Sequence, residues 1–334
     1  MIVTAFSIKG YDKTFLEAAT SKAHVKGIQW RWHEEPLRAE TSRLASGSDA
    51  VCCFVNDSLD SSCIEALADL GVKLICLRCA GYNHVDLRAS RKRNLLVVRV
   101  PKYSPHAVAE HTVGLMLMLN RHLHKAYNRI REGNFSLHGL MGFDLYKQTV
   151  GLIGTGQIGA CVAKILLGFG CRVIAHDITE NASLVDEGVT YTTLSGVLKQ
   201  SKIISLHCPL SDATHHLINS ASVSEMQNGV MLINTSRGAL IDTKAIIDGL
   251  KQGTVGSLGL DVYEEEAGLF FEDKSSSIIQ DDTFMRLLTF PNVVVTGHQA
   301  YFTREAMEAI ASQTVRNLCN FLEQKPLEAL VQIR

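Results

Sequence analysis

The sequence predicts an α/β protein built from two doubly wound, parallel β-sheets. Three observations lead to this prediction. Short apolar runs alternate with helix-like stretches along nearly the whole chain. These runs lack the polar alternation of a half-exposed strand, which is typical of parallel strands covered on both faces. The chain has 334 residues, more than one average domain of roughly 150 residues. Since crossovers between parallel strands are right-handed, a doubly wound sheet is the expected arrangement.

The strand-like runs form two series separated by one long helix-like stretch. The first series comprises residues 2–6, 50–55, 72–77 and 95–98, and the second comprises 149–153, 171–176, 203–207, 230–234, 257–262 and 293–296. Helix-like segments occur at 62–70, 158–167, 222–226, 243–250 and 304–324. The separating stretch, 105–131, has an apolar centre at 113–119 that is too short to cross a membrane. We predict that this stretch is a buried helix or a contact between subunits.

Composition and charge exclude several classes of protein. Hydrophobic residues make up 46% and charged residues 20% of the chain, which is ordinary for a globular protein and unlike a disordered or fibrous one. The 33 Lys and Arg balance the 34 Asp and Glu, so electrostatics give no reason to expect nucleic acid or a membrane surface as a partner. Residues 1–9 have no cationic segment or cleavage site of a signal peptide. We therefore expect a cytoplasmic protein.

The nine cysteines support the same expectation. Most lie inside apolar strand-like runs, where a reduced cysteine behaves as a small hydrophobic residue. Cys76 and Cys79 form a Cys-x-x-Cys pair at the end of a strand-like run, but no second pair is present to complete a zinc site. We predict core packing for this pair and expect no metal centre.

A glycine-rich turn follows the first strand of the second series. Residues 149–153 lead into Gly154-Thr-Gly156-Gln-Ile-Gly159, where a helix-like segment begins. In a dinucleotide-binding turn, Gly154 would allow the tight bend, Gly156 the approach of a pyrophosphate, and Gly159 close packing of helix on strand. The unpaired N–H groups and the dipole at the helix start would bind the diphosphate. The alternative is that the glycines serve packing alone, yet strand, glycines, helix and a later acid occur together here.

Asp177 is the acid at the end of the next strand-like run, 18 residues after Gly159. Its carboxylate would accept hydrogen bonds from the ribose hydroxyls of the dinucleotide. The same charge would repel a 2′-phosphate, and the following residues, Ile178 and Thr179, supply no cation to offset it. The sequence therefore predicts NAD as the cofactor rather than NADP.

Three polar residues follow strands of the second series and could perform chemistry. Arg237 comes shortly after residues 230–234, Glu266 after 257–262, and His298 after 293–296. Ligands of open parallel sheets bind at the carboxyl ends of the strands, where a guanidinium can hold a carboxylate and an imidazole can donate a proton. Each residue also has an ordinary interpretation: a surface arginine, a structural histidine, and part of a solvated run of three glutamates at 264–266.

With these motifs in place, the chain resembles the D-isomer-specific 2-hydroxyacid dehydrogenases, in particular their bacterial-type fermentative D-lactate subgroup. The resemblance extends from about residue 54 to 322 and rests on several motifs. They include Leu77-Arg-Cys-Ala-Gly81, Val100-Pro-Lys-Tyr-Ser-Pro105, Val108-Ala-Glu-His111, Ser205-Leu-His-Cys-Pro-Leu210, Ile233-Asn-Thr-Ser-Arg-Gly-Ala239 and Thr296-Gly-His-Gln-Ala300. The long segment 268–288 is typical of the lactate subgroup.

The resemblance implies a role for each matching position. His298 would be the acid/base, Glu266 its hydrogen-bond partner, and Arg237 the group that binds the substrate carboxylate and carbonyl. The substrate-binding positions are Ala80, Gly81, Tyr103, Arg237, His298 and Tyr301. The cofactor-binding positions are Gly154, Gly156, Gln157, Ile158, Gly159, Asp177, His207, Cys208, Pro209, Thr214, Thr235, Ser236, Arg237 and Asp261.

The resemblance also implies the domain plan and the reaction. A discontinuous, flavodoxin-like substrate domain (1–100 and 299–334) would flank an inserted Rossmann NAD-binding domain (101–298), with the active site in the cleft between them. The expected activity is reversible reduction of pyruvate to D-lactate by NADH. A homodimer or homotetramer is expected from the apolar stretch 113–119, independently of the resemblance. Two alternatives stay open: a dehydrogenase of longer 2-oxo acids, or an NAD(H)-responsive, corepressor-like binding protein. Gly297 and Tyr301 depart from the residues usual in the family, and Tyr301 bears on the preference for pyruvate.

Overall fold

The computed structural model describes residues 1–24 and 27–331. The chain forms two compact units, one made of Met1–Ser104 with Phe302–Arg334 and the other of Pro105–Tyr301. We call them the split unit and the inserted unit. Among the described residues, no helix combines the length and the apolar character needed to cross a membrane.

The split unit is built on a five-stranded parallel sheet. Its strands are β1 (Ile2–Ala5), β2 (Gln29–Trp32), β3 (Ala50–Cys53), β4 (Leu74–Leu77) and β5 (Leu96–Val98), in the order β2-β1-β3-β4-β5. Its helices are α1 (Gly10–Lys22), α2 (Ser61–Asp69), α3 (Leu87–Lys92) and α12 (Arg304–Leu322). Because the chain reverses its direction of winding after β2, this order is the flavodoxin-like one.

Both faces of this sheet are covered, which explains why its central strands β3 and β4 are apolar throughout. Val51 and Ile75 belong to one core, with residues of α2, whereas Cys52 and Leu74 belong to the opposite core, with Leu318 of α12. Helices α1 and α12 pack against each other on that second face. Since successive strand residues point to opposite faces, a strand covered on both sides has no face open to solvent and is mostly apolar.

The inserted unit is built on a seven-stranded parallel sheet. Its strands are β6 (Thr149–Ile153), β7 (Arg172–His176), β8 (Thr190–Tyr191), β9 (Ile203–Leu206), β10 (Val230–Asn234), β11 (Val255–Leu260) and β12 (Val293–Val295). Its helices are α4 (Pro105–Asn120), α5 (Leu123–Arg131), α6 (Gln157–Gly168), α7 (Ala182–Asp186), α8 (Leu194–Gln200), α9 (Ser220–Ser224), α10 (Thr243–Gln252) and α11 (Asp282–Leu288). The strand order is β12-β11-β10-β9-β6-β7-β8.

The order of these strands defines one switch point, between β6 and β9. The chain runs outward from β6 to β8 on one side, and then from β9 to β12 on the other. Gly151 of β6 pairs with Ile174 of β7 on one edge and Ile204 of β9 on the other. Ligands of such sheets bind outside the carboxyl ends of the strands at the switch point. The prediction of two doubly wound parallel sheets, one flavodoxin-like and one of the Rossmann type, is confirmed.

The structure differs from the sequence prediction in three details. The stretch 105–131 is two helices rather than one, because His122 adopts a left-handed conformation (φ 50°) between α4 and α5. Helix α4 packs on α6, β10 and β11 and is the buried helix of the two interpretations offered above. Strands β2 and β8 were not predicted, since β2 is a polar edge strand and β8 has only two residues.

Candidate active site

The three candidate catalytic residues follow three adjacent strands. Arg237 comes after β10, Glu266 after β11 and His298 after β12, and these strands are neighbours in the sheet. All strands of this sheet run in parallel, so their carboxyl ends meet at one edge. The topology therefore brings to one edge residues that are up to 61 positions apart in the chain.

Glu266 and His298 are in direct contact. Glu266 Oε1 lies 2.9 Å from His298 Nδ1, and both side chains are mostly buried. The second carboxylate oxygen, Oε2, accepts a hydrogen bond from the backbone N–H of Tyr263 at 3.2 Å. When Nδ1–H donates to Glu266, Nε2 is the ring nitrogen that can exchange a proton with a substrate. This is the geometry of a general acid/base oriented by a carboxylate.

Asp261 positions the backbone that carries His298. Its carboxylate accepts hydrogen bonds from the hydroxyl of Thr296 (2.6 Å) and from the backbone N–H groups of Gln299 and Ala300 (both 2.9 Å). Its carbonyl oxygen accepts the N–H of His298 at 2.7 Å. His298 is held in a left-handed conformation (φ 52°), which a residue other than glycine adopts only where its surroundings impose it.

His111 extends this network from helix α4. Its Nε2 lies 3.0 Å from Thr296 Oγ1 and 3.5 Å from Asp261 Oδ1. Since the Thr296 hydroxyl donates to Asp261, its oxygen accepts from the imidazole N–H. His111 belongs to the 108–111 motif, but the sequence alone assigns it no role. No local sequence pattern could have shown this contact, because His111 and Thr296 are 185 positions apart in the chain.

Arg237 is positioned by its own turn. Its Nη1 donates to the carbonyl oxygen of Ser236 at 2.7 Å, and its backbone carbonyl accepts from the side chain of Asn234 at 2.8 Å. A Cβ on the next residue, Gly238, would lie 2.0 Å from the carbonyl carbon of Tyr263. The turn after β10 therefore packs directly on the start of the segment that carries Glu266, and only glycine fits at the contact.

The glycine-rich turn lies at the switch point. Gly154 has φ 97°, and a Cβ there would lie 2.5 Å from the backbone nitrogen of Cys208 in the loop after β9. A Cβ on Gly159 would lie 2.2 Å from the carbonyl oxygen of Gly154. In contrast, a Cβ on Gly156 would have no atom within 4 Å, and Gly156 caps the N-terminus of α6. The open side of this turn suits a diphosphate bound to backbone N–H groups.

Asp177 is held beside this turn by hydrogen bonds. Its Oδ2 accepts from the backbone N–H of Thr155 (2.5 Å) and from the Thr155 hydroxyl (3.0 Å), which in turn accepts from the hydroxyl of Tyr191 (2.8 Å). Burial raises the pKa of the Asp177 carboxyl, but these bonds and the N–H groups of Thr179 and Ile178 outweigh it and lower the pKa below the usual value. Asp177 is therefore ionised at neutral pH, which suits ribose hydroxyls and disfavours a phosphate.

The loops after β9 and β10 hold most of the remaining cofactor candidates. The Ser236 hydroxyl donates to the carbonyl of Cys208 (2.7 Å), and the Thr214 hydroxyl donates to that of Pro209 (2.7 Å). The Thr235 hydroxyl is instead buried against Thr112 of α4, at 2.8 Å. Ser236, Cys208, Thr214 and Pro209 thus stabilise the two loops. Thr235 connects the loop after β10 to α4.

Burial keeps the side chains of two cofactor candidates, His207 and Cys208, uncharged at neutral pH. It lowers the pKa of His207 to about 4, and it raises the pKa of the Cys208 thiol to about 11. The imidazole of His207 contacts the hydroxyl of Ser205 at 2.9 Å.

The predicted substrate residues Ala80, Gly81 and Tyr103 lie in the split unit, after β4 and β5. The carbonyl oxygen of Ala80 accepts a hydrogen bond from Arg99 at 2.9 Å. Tyr301 is the last residue of the inserted unit. The roles of these four residues in substrate binding stay predictions.

Comparison with known proteins gives one matching family model, two similar relatives and one similar solved structure. Residues 113–300 match the family model described as D-isomer specific 2-hydroxyacid dehydrogenase, NAD binding domain. The chain is 49% identical over 320 residues to D-lactate dehydrogenase of Escherichia coli (strain K12), covering 96% of each chain. It is 48% identical over 331 residues to a 2-hydroxyacid dehydrogenase homolog of Haemophilus influenzae, covering 99% of each. The apo-structure of D-lactate dehydrogenase from Escherichia coli matches with a TM-score of 0.90 at 44% identity, covering 99% of this chain and 100% of that one.

Proposed function

Because the chain belongs to the D-isomer-specific 2-hydroxyacid dehydrogenase family, we propose that it catalyses the reversible reduction of pyruvate to D-lactate with NADH. The observation that carries this proposal is the 2.9 Å contact between Glu266 Oε1 and His298 Nδ1. It stands at the strand edge where Arg237 also lies, in a chain whose relatives include a D-lactate dehydrogenase.

The proposed mechanism gives each of the three residues one task. The guanidinium of Arg237 binds the carboxylate of the substrate and polarises its carbonyl. Nε2 of His298 donates a proton to the carbonyl oxygen during reduction and takes it back during oxidation. Glu266 accepts a hydrogen bond from Nδ1 and so leaves Nε2 as the nitrogen that exchanges the proton. Bound NADH supplies the hydride that reduces the carbonyl carbon.

The cofactor fits the residues at the switch point. The N–H groups at the start of α6 bind the diphosphate beside the open side of Gly156, with Gln157 and Ile158 in the same turn. The carboxylate of Asp177 accepts hydrogen bonds from the hydroxyls of the adenosine ribose and so selects NAD over NADP. The loops after β9, β10 and β11 line the rest of the cofactor site. They contain His207, Cys208, Pro209, Thr214, Thr235, Ser236 and Asp261. We assign cofactor binding to residues 101–298 and substrate binding to 1–100 and 299–334, including Ala80, Gly81, Tyr103 and Tyr301.

The alternatives from the sequence analysis are less well supported. An NAD(H)-responsive binding protein needs only the cofactor contacts, whereas this structure also holds an imidazole and a carboxylate in contact. A longer 2-oxo acid as the preferred substrate is not indicated by the relatives compared above.

Two further features of the protein belong to this proposal. The chain assembles as a homodimer or homotetramer, which is supported by a row of exposed apolar side chains in residues 123–146. It works in the cytoplasm, which is supported by nine cysteines without a disulfide, of which seven are buried.

The deciding experiment measures NADH oxidation by the purified protein with pyruvate, 2-oxobutyrate and a branched 2-oxo acid. We expect the largest kcat/KM for pyruvate, with D-lactate as the product by chiral chromatography. NADH binding without turnover of any of these acids would favour the binding-protein alternative. A larger kcat/KM for one of the longer acids would move the assignment to another substrate of the same family.

A further inference from the structure

Two histidines and a glutamate form a cluster in the inserted unit that the proposed mechanism does not use. His215 and His216 lie in the loop between β9 and α9, and Glu264 lies in the segment after β11. One ligand atom from each of the three side chains lies within 4.8 Å of the other two. His216 Nε2 is 2.5 Å from Glu264 Oε1, and the two imidazole rings stack with centroids 4.0 Å apart.

The backbone and the surrounding side chains hold this cluster in place. The N–H of His216 donates to the carbonyl of Ala239, and its own carbonyl accepts from the side chain of Asn219, both at 2.9 Å. His216 has φ 48°, a left-handed conformation that its surroundings impose. The hydroxyl of Thr243 donates to Glu264 Oε2 at 3.1 Å, while Oε1 is the oxygen in contact with His216. Such outer hydrogen bonds orient ligands in metal sites.

An ion pair between His216 and Glu264 explains only two of the three groups. That ion pair does not account for His215, whose solvent-exposed ring stacks on the ring of His216. Two imidazoles and one carboxylate are a ligand set typical of Zn²⁺ sites, and they do not suit Mg²⁺ or Ca²⁺, which prefer oxygen ligands. The partial exposure of all three side chains leaves a path for an ion and for water to complete its coordination.

We propose that His215, His216 and Glu264 bind one divalent transition metal ion, with Zn²⁺ as the best fit. Bonds of about 2.0–2.2 Å to each ligand require the ligand atoms to stand roughly 3.3 Å apart in a tetrahedral site. The atoms of His216 and Glu264 must therefore separate by less than 1 Å from their 2.5 Å contact as the ion enters. The His215 ring must also turn out of its stack with His216, because an imidazole binds a metal ion in the plane of its ring. The expectation from the sequence that no metal is bound rested on cysteine spacing alone and did not consider this cluster.

An ion bound at this cluster would join two segments of the inserted unit. The histidines belong to the same loop as Cys208, Pro209 and Thr214, and Glu264 is two residues from Glu266. A bound ion would link the loop after β9 to the segment after β11. Because an ion that binds only the folded state stabilises it, Zn²⁺ should raise the Tm of the protein.

The test is calorimetric titration of the full-length, reduced protein with ZnCl₂ in the absence of NADH and substrate. Cysteines elsewhere can also bind Zn²⁺, so the comparison between variants carries the result. His215→Ala removes an exposed ring and should leave the fold intact, and Glu264→Gln keeps the shape of the second ligand. His138→Ala is the matched control, since His138 is an exposed histidine of the same unit.

We expect one site of micromolar or tighter affinity in the parent and in His138→Ala, weakened at least tenfold in His215→Ala and Glu264→Gln. The Zn²⁺-induced rise in Tm should disappear in the same two variants. Equal affinity in the parent and His215→Ala would overturn the proposal, as would a visible spectrum of the Co²⁺-loaded protein showing thiolate ligands. Because no substrate is present, these results are independent of whether the protein reduces pyruvate.

Discussion

At the residue scale, three constraints act together on His298. Its Nδ1 contacts a carboxylate, its N–H donates to the carbonyl of Asp261, and its backbone has a positive φ. Strain of this kind persists only where the surroundings over-determine the conformation, and it is common at active sites. Its direct partner is Glu266, whereas its exposed neighbour Glu265 offers a natural control.

Replacing His298 by Ala should lower the rate of pyruvate reduction by roughly 10²–10⁴, because a positioned acid contributes about that factor. NADH binding should persist, since the proposed diphosphate and ribose contacts lie elsewhere. Steady-state kinetics and the fluorescence of bound NADH measure the two effects separately. Full turnover by the His298→Ala protein would reject the assignment.

Replacing Glu266 by Gln should lower kcat for pyruvate reduction by roughly 10²-fold or more. The carboxylate can only accept from Nδ1 and so leaves Nε2 to exchange the proton, whereas an amide can also donate to Nδ1 and favour the wrong tautomer. The measurement is the steady-state kinetics of the parent, Glu266→Gln and the control Glu265→Gln. Equal rates in all three proteins would remove Glu266 from this role.

Replacing Asp177 by Asn should relax the preference for NADH over NADPH, by at least tenfold in the ratio of kcat/KM values. The hydrogen bonds from Thr155 lower the pKa of the Asp177 carboxyl, so the parent carries this charge throughout the neutral range. Asp186→Asn, on the exposed surface of α7, is the matched control. A ratio unchanged by Asp177→Asn would show that another group sets the preference.

At the scale of elements, the site depends on how helices approach strand ends. Helix α4 reaches the His298 segment through His111 and Thr296, and α6 presents its N-terminus at the switch point between β6 and β9. The approach of α6 needs close packing of its backbone on the glycine turn, and the approach of α4 needs the hydrogen bond between His111 and Thr296. The strand, the glycine turn and the helix could be recognised from sequence, because they are contiguous. The α4 contact could not, since it joins distant parts of the chain.

The closeness of α6 to the turn before it predicts a sharp difference between two glycines of the same helix. A Cβ on Gly159 would lie 2.2 Å from the Gly154 carbonyl oxygen, whereas one on Gly168 would have no atom within 4 Å. Gly159→Ala should cost about 1–3 kcal/mol of unfolding free energy and weaken NADH binding. Gly168→Ala should be neutral or slightly stabilising, because alanine favours the helix. Urea denaturation and NADH titration of both variants decide, and equal stabilities would contradict the packing argument.

At the scale of the whole molecule, the chain forms two units whose boundaries follow Ser104 and precede Phe302. The predicted boundaries at 100 and 299 came from family resemblance, and the division into a substrate and a cofactor domain stays a prediction. The molecule also exposes apolar side chains that the sequence analysis did not single out. Phe135, Leu137 and Met141 are 74%, 82% and 91% exposed. They follow the helix break at His122, outside the 113–119 stretch that was offered as a subunit contact.

This exposed segment predicts the oligomeric state. Light scattering coupled to size exclusion should give a mass of two or four times the 36.7 kDa of one chain. Leu137→Asp should shift the assembly towards smaller species, since burying a charge at an apolar contact is costly. Ile278→Asp, at an equally exposed apolar residue outside the segment, is the control. A monomeric parent protein at micromolar concentration would contradict the proposal.

The two parallel sheets, the glycine turn, and the strand ends that carry Arg237, Glu266 and His298 can all be predicted from the sequence. These features are written in local patterns, in which hydrophobic periodicity and turn residues act over a few positions. The 2.9 Å distance between Glu266 and His298, the contact of Glu264 with His216, and the place of His111 in the network of Asp261 depend instead on how the chain folds. Such pairings depend on side chains 32 to 185 positions apart, and chain packing alone sets their distances.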